Sequence, residues 1–258
     1  MTRQRPYSFT EVFSSGAADA ARTREVAVEA PIALEFNGIG FAVMMATPAD
    51  LEDFVTGFAI AERLIPPNGA LHDVAVFEAD NGIVLRARVP QDAAQTVLAR
   101  ARRRVTESSC GLCGMENLEE IARPLPPVSR PLSLSPEAIF AAHQGLSDWQ
   151  PLSSATGAVH AAAICAPAGT ILLAREDVGR HNALDKAIGA RTRSGLEGDH
   201  FALVTARCSY ERVEKAAIAG LGALVTISAP TSLALDRAKA ANLPLYVLTR
   251  TDSTLRLL

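Results

Sequence analysis

Two cysteines three positions apart, Cys110 and Cys113, are the residues whose spacing most directly suggests chemistry in this sequence. They lie in residues 108–114, which read SSCGLCG, and the glycines beside both thiols favour an accessible loop. Such a pair can form half of a zinc site, a dithiol and disulfide couple, or a persulfide carrier with a second thiol that resolves it. The spacing alone leaves these three chemistries open.

The surroundings of the pair weigh against two of them. A zinc site needs two further ligands, but Cys165 and Cys208 are isolated and the five histidines do not cluster, so no permanent metal is predicted. A thioredoxin-like couple usually lies where a strand meets a helix, whereas this pair precedes a proline-rich segment. The arginines at 102–104 are either the solvated end of a basic helix or charges that lower a thiol pKa.

A second set of polar side chains follows the predicted strands of the C-terminal half. The four segments are residues 175–182, 207–211, 228–232 and 248–252. If the strands are parallel, the segments meet at the carboxyl edge of one sheet, where arginines, hydroxyls and helix N-termini suit a phosphorylated, base-containing ligand. For any one segment the alternative is that its hydroxyls simply cap a helix. His181 and Asp185, four residues apart, are either a hydrogen-bonded pair or an ordinary structural histidine with a neighbour.

The N-terminal elements predict a small α+β domain. Two pairs of β-prone runs, 32–36 with 39–45 and 73–78 with 83–89, flank Asn-Gly dipeptides that favour tight hairpin turns. Between them Thr47 and Pro48 predict a helix N-cap and first turn, and a basic helix is expected to open at Pro90 and end near Arg104.

An α/β layer is predicted from Gly157 onward, because strand runs and helical patterns alternate there. Five prolines between Arg123 and Pro136 mark a domain boundary. The predicted organisation is a disordered tail over 1–24, a small α+β domain over 25–123 that ends in the cysteine loop, and an α/β domain over 124–258.

The composition and charge of the chain weigh against nucleic acid and membranes as its partners. The 258 residues are 48% hydrophobic, and 25 basic against 28 acidic side chains give a net charge of −3. No global positive field therefore favours nucleic acid or an anionic membrane as partner. The N-terminus has no apolar signal region and no stretch approaches a membrane span, so we expect a soluble, cytoplasmic protein.

With these motifs assembled, the sequence resembles the FdhD family of formate dehydrogenase accessory sulfurtransferases. The resemblance covers residue 25 to the end and rests on four motifs: SSCGLCG at 108–114, REDVGRHNALDK at 175–186, SYE at 209–211 with KAA at 215–217, and ISAPTS at 227–232. It implies a cytidine-deaminase-like layered core with a smaller N-terminal α+β domain, assembled as a homodimer.

The same resemblance implies an activity. The protein would be a sulfurtransferase that receives persulfide sulfur from a cysteine desulfurase. It would deliver that sulfur to the molybdenum or tungsten bis(molybdopterin guanine dinucleotide) cofactor, bound as a client, before the cofactor enters formate dehydrogenase. By position Cys110 resembles the family's persulfide carrier, and Cys113 is expected to assist it.

The predicted cofactor-binding residues combine the resemblance with the strand-end segments. The resemblance implies the terminal segment, and the strand ends contribute the rest: Val247, Leu248, Thr249, Arg250, Thr251, Asp252, Arg180, His181, Ser209, Ser228 and Thr231. After Arg250 the chain lacks the glycine-containing turn of the family pattern.

Two other classes of function remain open. One is a cofactor-binding chaperone that moves no sulfur, and the other is a zinc-stabilised binding module. Deaminase chemistry is excluded, because zinc deaminases need H-x-E before P-C-x-x-C, whereas His160 is followed by two alanines and the C-x-x-C pair comes earlier in the chain.

Overall fold

The computed structural model describes residues 1–16, 18–104 and 123–257. Over these residues the chain is a mixed α/β protein, as predicted. The strands are β1 (Gln4–Glu11), β2 (Ala20–Ala27), β3 (Ala30–Phe36), β4 (Ile39–Ala46), β5 (His72–Ala79), β6 (Gly82–Arg88), β7 (His160–Cys165), β8 (Ile171–Asp177), β9 (Phe201–Val204), β10 (Ala223–Thr226), β11 (Leu245–Val247) and β12 (Leu255–Arg256). The α-helices are α1 (Leu51–Ala61), α2 (Gln91–Arg104), α3 (Pro136–Gly145), α4 (Pro151–Thr156), α5 (Arg180–Arg193), α6 (Tyr210–Ile218) and α7 (Ser232–Ala240).

A four-stranded sheet of order β4-β3-β6-β5 forms the N-terminal layer and confirms both predicted hairpins. At the first turn Asn37 and Gly38 have φ values of 53° and 77°, the left-handed geometry that an Asn-Gly hairpin turn requires. The two hairpins join through β3 and β6, which pair in parallel.

A six-stranded sheet of order β12-β11-β10-β9-β7-β8 forms the C-terminal layer. Strands β9, β10 and β11 run parallel, and β7 is antiparallel to both β9 and β8, so β8 points the same way as β9. Four strands therefore end at one edge of this sheet. Every residue of β9 and of β10 is buried, as the continuous apolar runs of these strands predict.

One apolar core joins the two layers. It runs from the aromatic cluster Phe36, Phe41 and Phe58 through α1 and α5 to the six-stranded sheet. Helices α1 and α5 approach so closely at Gly57 and Gly189 that neither position has room for a side chain. A second core covers the other sheet face beneath α3. The predicted domain boundary and the cytidine-deaminase-like layering stay predictions.

The first 27 residues differ from the expected disordered tail over 1–24. Strands β1 and β2 pair antiparallel from Gln4↔Ala27 to Glu11↔Ala20, and β2 packs against α4. The polar, small-residue composition suggested a tail, but the two segments satisfy their backbone groups by pairing with each other.

The start of α1 also differs from the sequence-based prediction. Thr47 does not cap the helix, which begins at Leu51 after Asp50 in a left-handed conformation with φ 51°. The side chain of Thr47 instead accepts a hydrogen bond from the backbone N–H of Val178 at 3.1 Å. A residue about 130 positions away therefore binds the Thr47 hydroxyl that the local pattern assigned to a helix cap.

None of the helices in the described part of the chain combines the length and the apolar character needed to cross a bilayer.

Candidate functional site

The carboxyl ends of four strands bring the predicted binding segments together. Strands β8, β9, β10 and β11 end at the same sheet edge, so residues 178–182, 205–211, 227–232 and 248–252 meet there. His160 joins them, because it opens the antiparallel strand β7 opposite Asp177. The structure therefore gathers Arg180, Ser209 and the other predicted pocket residues at one edge, and their binding roles stay predictions.

The turn from β8 to α5 is built around the buried carboxylate of Asp177. Its Oδ1 accepts from the backbone N–H of Gly179 at 2.7 Å and from Nδ2 of Asn182 at 3.1 Å. Its Oδ2 accepts from the backbone N–H of Thr47 at 3.0 Å and lies 2.5 Å from Nζ of Lys186. These bonds anchor the turn to the connection between β4 and α1.

Lys186 is fully buried and completes this anchor. Its Nζ also donates to the carbonyl oxygen of Thr47 at 2.9 Å. Burial lowers the pKa of Lys186, while the paired carboxylate of Asp177 opposes that shift. Removing one member of such a pair would leave a buried, uncompensated charge, so the pair holds the site's geometry in place.

His181 and Asp185 do not pair with each other, and each finds a partner on α6 instead. Nε2 of His181 lies 3.1 Å from Oε2 of Glu211, and Nζ of Lys215 lies 2.6 and 2.7 Å from the two oxygens of Asp185. The i, i+4 spacing made a His–Asp pair possible, but the packing of α6 against α5 places Glu211 beside His181 and Lys215 beside Asp185.

Burial moves the pKa values of His181 and Asp185 in opposite directions from their ordinary values. Burial, followed by the charges of Lys215 and Arg212, lowers the pKa of His181 to about 3. Burial raises the pKa of Asp185 to about 6, although Lys215 opposes this shift. At neutral pH His181 is therefore a neutral ring whose Nε2 lies beside the carboxylate of Glu211, and its buried Nδ1 has no hydrogen-bond partner among the described residues.

These two pKa values predict opposing effects of pH on stability. Between about pH 4 and pH 6 folded Asp185 holds a proton that the unfolded chain releases, so its contribution to the free energy of unfolding falls as pH rises. In the folded protein His181 stays unprotonated between about pH 3 and pH 6.5, where the unfolded chain binds a proton at this residue. Its contribution to the free energy of unfolding therefore rises with pH. We expect the free energy of unfolding to climb more steeply with pH in Asp185→Asn than in the unaltered protein, and less steeply in His181→Gln. The slopes should differ by up to about 1.4 kcal/mol per pH unit, the value for one proton.

Urea unfolding at about pH 4, 5 and 6 measures these slopes. In Asp185→Asn the side chain of Lys215 loses its carboxylate partner, so the comparison is made between the slopes with pH and not between the absolute free energies of unfolding. Equal slopes in all three proteins would contradict the prediction.

Arg212, in the first turn of α6, is the site residue that the sequence analysis missed. Its side chain is fully buried, and Nε and both terminal nitrogens have no hydrogen-bond partner among the described residues. Burial, followed by the charge of Arg180, lowers its pKa to about 10, so it stays protonated at neutral pH. A signal was present in the sequence, because the helix dipole disfavours a cation in a first turn and this first turn has Arg212 next to the acidic Glu211.

Ser209 and Thr231 occupy equivalent helix starts but differ in what they bind. Oγ1 of Thr231 accepts from the backbone N–H of Ala234 at 3.3 Å, so Thr231 is an ordinary helix cap. Ser209 makes no such bond, and its buried Oγ has no partner in the described part of the chain. The capping alternative therefore explains Thr231 and leaves Ser209 without a structural role for its hydroxyl.

The C-terminal segment forms a compact turn against the end of β10. The backbone N–H of Leu248 donates to the carbonyl oxygen of Ser228 at 3.3 Å, and the backbone N–H of Arg250 donates to that of Ser253 at 2.8 Å. The guanidinium of Arg250 donates to the carbonyl oxygen of Ile227. Thr251 and Asp252 are exposed, and the turn closes without a glycine.

The described cysteines are poor nucleophiles. Cys165 is fully buried in β7, where it packs as a small apolar side chain, and burial raises its pKa to about 12. Burial also raises the pKa of Cys208 to about 11. Cys110 and Cys113, predicted as carrier and assistant, lie outside the described residues.

Comparison with known proteins identifies relatives over most of the chain. The model of the FdhD/NarQ family matches residues 27–255. A sulfur carrier protein FdhD from Variovorax paradoxus is 46% identical over 228 residues, 88% of this chain and 82% of the relative. The protein of the same name from Bordetella bronchiseptica is 42% identical over 92% of this chain and 86% of its own.

A solved structure supports the fold. It is described as a formate dehydrogenase accessory protein from Desulfotalea psychrophila, and it superposes with a TM-score of 0.78 over 99% of this chain and 97% of its own. At 20% sequence identity this likeness concerns the fold alone.

Proposed function

This chain belongs to the FdhD/NarQ family, and from that membership we propose that it carries sulfur for the maturation of formate dehydrogenase. The observation that carries the proposal is its 46% identity, over 88% of its length, to a protein named as a sulfur carrier. The structural neighbour, described as a formate dehydrogenase accessory protein, is consistent with the same client enzyme.

The first chemical step assigned to the chain is acceptance of sulfur by Cys110. Its thiolate attacks the terminal sulfur of a persulfide on a cysteine desulfurase, and the sulfur–sulfur bond of that donor breaks. The donor's cysteine leaves as a thiolate, and Cys110 becomes a persulfide. The buried thiols of Cys165 and Cys208, whose pKa values are raised, are unsuited to this role because the thiolate is the nucleophile.

The second step is release of the sulfur toward the cofactor. The thiolate of Cys113 attacks Sγ of the Cys110 persulfide, so a disulfide forms and the terminal sulfur leaves as hydrosulfide. The two cysteines are oxidised and the transferred sulfur is reduced, and a dithiol reductant then restores both thiols. The hydrosulfide is delivered to the metal of the client bis(molybdopterin guanine dinucleotide) cofactor.

The strand-end edge is the proposed holder of that cofactor. The side chains of Arg212 and Ser209 are buried and have no hydrogen-bond partner among the described residues, so they suit an anionic ligand, since such groups are costly unless something binds them. The exposed turn at Thr251 and Asp252 offers polar groups at the same sheet edge. The metal, molybdenum or tungsten, is cargo and not a resident group.

Three finer features are proposed from the family resemblance. The six-stranded layer is taken to be cytidine-deaminase-like, which its order, with one antiparallel strand inside a parallel set, supports. The protein is taken to act as a homodimer. It is taken to work in the cytoplasm.

Labelled sulfur tests the proposal. The purified protein is incubated with a cysteine desulfurase and cysteine labelled in its sulfur, and formate dehydrogenase activity is measured after expression in cells that lack their own family member. We expect label that a dithiol reductant releases, together with restored activity.

Two results would replace the proposal with its alternatives. Restored activity without bound label would favour a chaperone that moves no sulfur. One equivalent of zinc in the purified protein, without label or activation, would favour a zinc-stabilised binding module.

A further inference from the structure

We propose that the ribbon formed by β1 and β2 docks an acidic protein surface, and that this surface belongs to the client enzyme that takes the cofactor. The inference deepens the proposed function and rests on it, since that function supplies the client. Three observations carry it: an exposed face of aromatic rings and arginines, an excess of positive charge on that face, and the position of the ribbon beside the strand-end edge.

The first observation is that the ribbon exposes large apolar side chains. Among the described residues β1 and β2 pair only with each other, and most of their residues are exposed. Tyr7 and Phe9 in β1 are 53% and 49% exposed. An isolated two-stranded ribbon is marginally stable in water, and side chains of this size stabilise a protein when they are buried. These rings therefore indicate a surface that another molecule covers.

The register of the two strands places these rings on one face together with arginines. Tyr7 lies opposite Arg24, and Phe9 lies opposite Arg22, in the antiparallel ladder. Directly opposed residues share a face, and so do residues two apart in one strand, so the four side chains form one continuous surface. Aromatic residues and arginine are enriched in protein interfaces and contribute most of their binding energy. This face therefore has the composition of a protein-binding surface.

The second observation is the charge of this face, which selects the kind of partner. Arg5, Arg22 and Arg24 lie on it with one carboxylate, that of Glu11, which already binds Arg22 at 2.6 Å. Arg5 and Arg24 have no ion-pair partner among the described residues. A second copy of the same face would bring arginine against arginine, and two arginines are few for nucleic acid, whose binding rests on many phosphate contacts. An acidic protein surface complements this face.

The third observation is that the ribbon lies beside the strand-end edge. Strand β2 packs against α4, and the aromatic and arginine face lines a groove with Thr156, at the end of that helix, and Ala158. Ala158 is two residues before His160, which lies at the strand-end edge. The carboxylate of Glu176 fixes α4 there, because it accepts from two backbone N–H groups in the first turn of that helix at 2.7 and 2.8 Å. A partner on this face is therefore adjacent to the proposed holder of the cofactor, which favours the client over the sulfur donor.

Binding of purified formate dehydrogenase tests the docking surface. The enzyme is produced in cells that lack their own family member, and its affinity for the full chain is measured at about 50 and about 200 mM salt. For the unaltered protein we expect an affinity that falls as salt rises, because exposed charges are screened. Tyr7→Ser and Phe9→Ser should bind at least about tenfold more weakly, the scale on which truncated aromatic anchors act. Arg24→Glu should lose a similar factor and part of the salt dependence, because it sets a carboxylate against an acidic surface.

Two variants elsewhere on the surface are the matched controls. Arg130→Glu reverses an exposed charge at the opposite edge of the six-stranded sheet, where Arg130 lies 3.5 Å from Asp199, two residues before β9. Phe77→Ser removes a ring that is 44% exposed on the N-terminal sheet. Both should bind formate dehydrogenase as the unaltered protein does. All five variants should keep the melting temperature, because each substituted side chain is exposed, and all should still accept labelled sulfur.

Several results would overturn the inference. They are an unaltered protein that does not bind formate dehydrogenase, ribbon variants that bind it as tightly as the unaltered protein, and control variants that lose as much affinity as the ribbon variants. Ribbon variants with a changed oligomeric state in sedimentation would assign the face to a second copy, and ribbon variants that no longer accept labelled sulfur would assign it to the donor. Failure of the unaltered protein to accept label would count against sulfur transfer and not against the docking surface, which is measured by binding alone.

Discussion

Cys110→Ala is expected to accept no labelled sulfur from a cysteine desulfurase and to leave formate dehydrogenase inactive. The substitution removes the atom that forms the persulfide, so no other group in the proposed mechanism can take over the transfer. We expect activation to fall by roughly 10³-fold or more, the scale on which loss of a nucleophile acts. The measurements are covalent label on the protein and formate dehydrogenase activity in the same cells.

Two cysteine variants make this result specific. Cys165→Ala removes a fully buried thiol whose pKa is raised to about 12, and it should keep both label and activation. Cys113→Ala should accept label but release it more slowly, because the thiol that forms the disulfide is missing. If Cys110→Ala still accepts label and still activates the enzyme, Cys110 is not the carrier. Equal activity of Cys113→Ala and the unaltered protein would reduce Cys113 to a spectator.

Gly189→Ala is expected to be strongly destabilising, because α1 and α5 are in backbone contact at this position. At this position an added Cβ would lie well inside the contact distance of the backbone carbonyl oxygen of Asp53, and at Gly57 it would meet that of Asp185 in the same way. Neither obstacle is a flexible side chain, so α1 and α5 must move apart. We expect a loss of about 3 kcal/mol or more in the free energy of unfolding, at the upper end of overpacking effects.

The loss should extend to function, because α5 carries the turn that Asp177 anchors and the residues Arg180 and His181 at the strand ends. Urea unfolding measures the stability, and formate dehydrogenase activity in cells that lack their own family member measures the function. Gly40→Ala is the matched control, since a Cβ at that position in β4 meets nothing within 4 Å and should change stability by about 0.5 kcal/mol or less. A midpoint for Gly189→Ala close to that of Gly40→Ala would refute the tight approach of the two helices.

The sequence by itself determined the features that depend on near neighbours in the chain. The hairpin around Asn37 and Gly38 is one, because the positive φ values of the turn are set by the two residues that occupy it. The alternation of strands and helices after Gly157 is another, because the apolar run of each strand and the helical periodicity are local patterns. The convergence of the strand-end segments followed from the rule that parallel strands end at one edge.

The sequence failed where a distant residue competes for the same atoms. Thr47 has the pattern of a helix cap, but its N–H and hydroxyl bind Asp177 and Val178, which lie about 130 positions away. The polar first 24 residues suggested a tail because the pairing of β1 with β2 depends on register, which composition does not encode.

Only the tertiary structure decided the electrostatics of the site. From spacing alone His181 could pair with Asp185, and the packing of α6 against α5 gave them Glu211 and Lys215 instead. From the sequence Arg212 is an ordinary helical arginine, and only the structure shows that it is buried and has no hydrogen-bond partner among the residues 1–16, 18–104 and 123–257. The physical reason is that burial and charge pairing are sums over every element packed around a group, whereas the sequence specifies only the group and its neighbours along the chain.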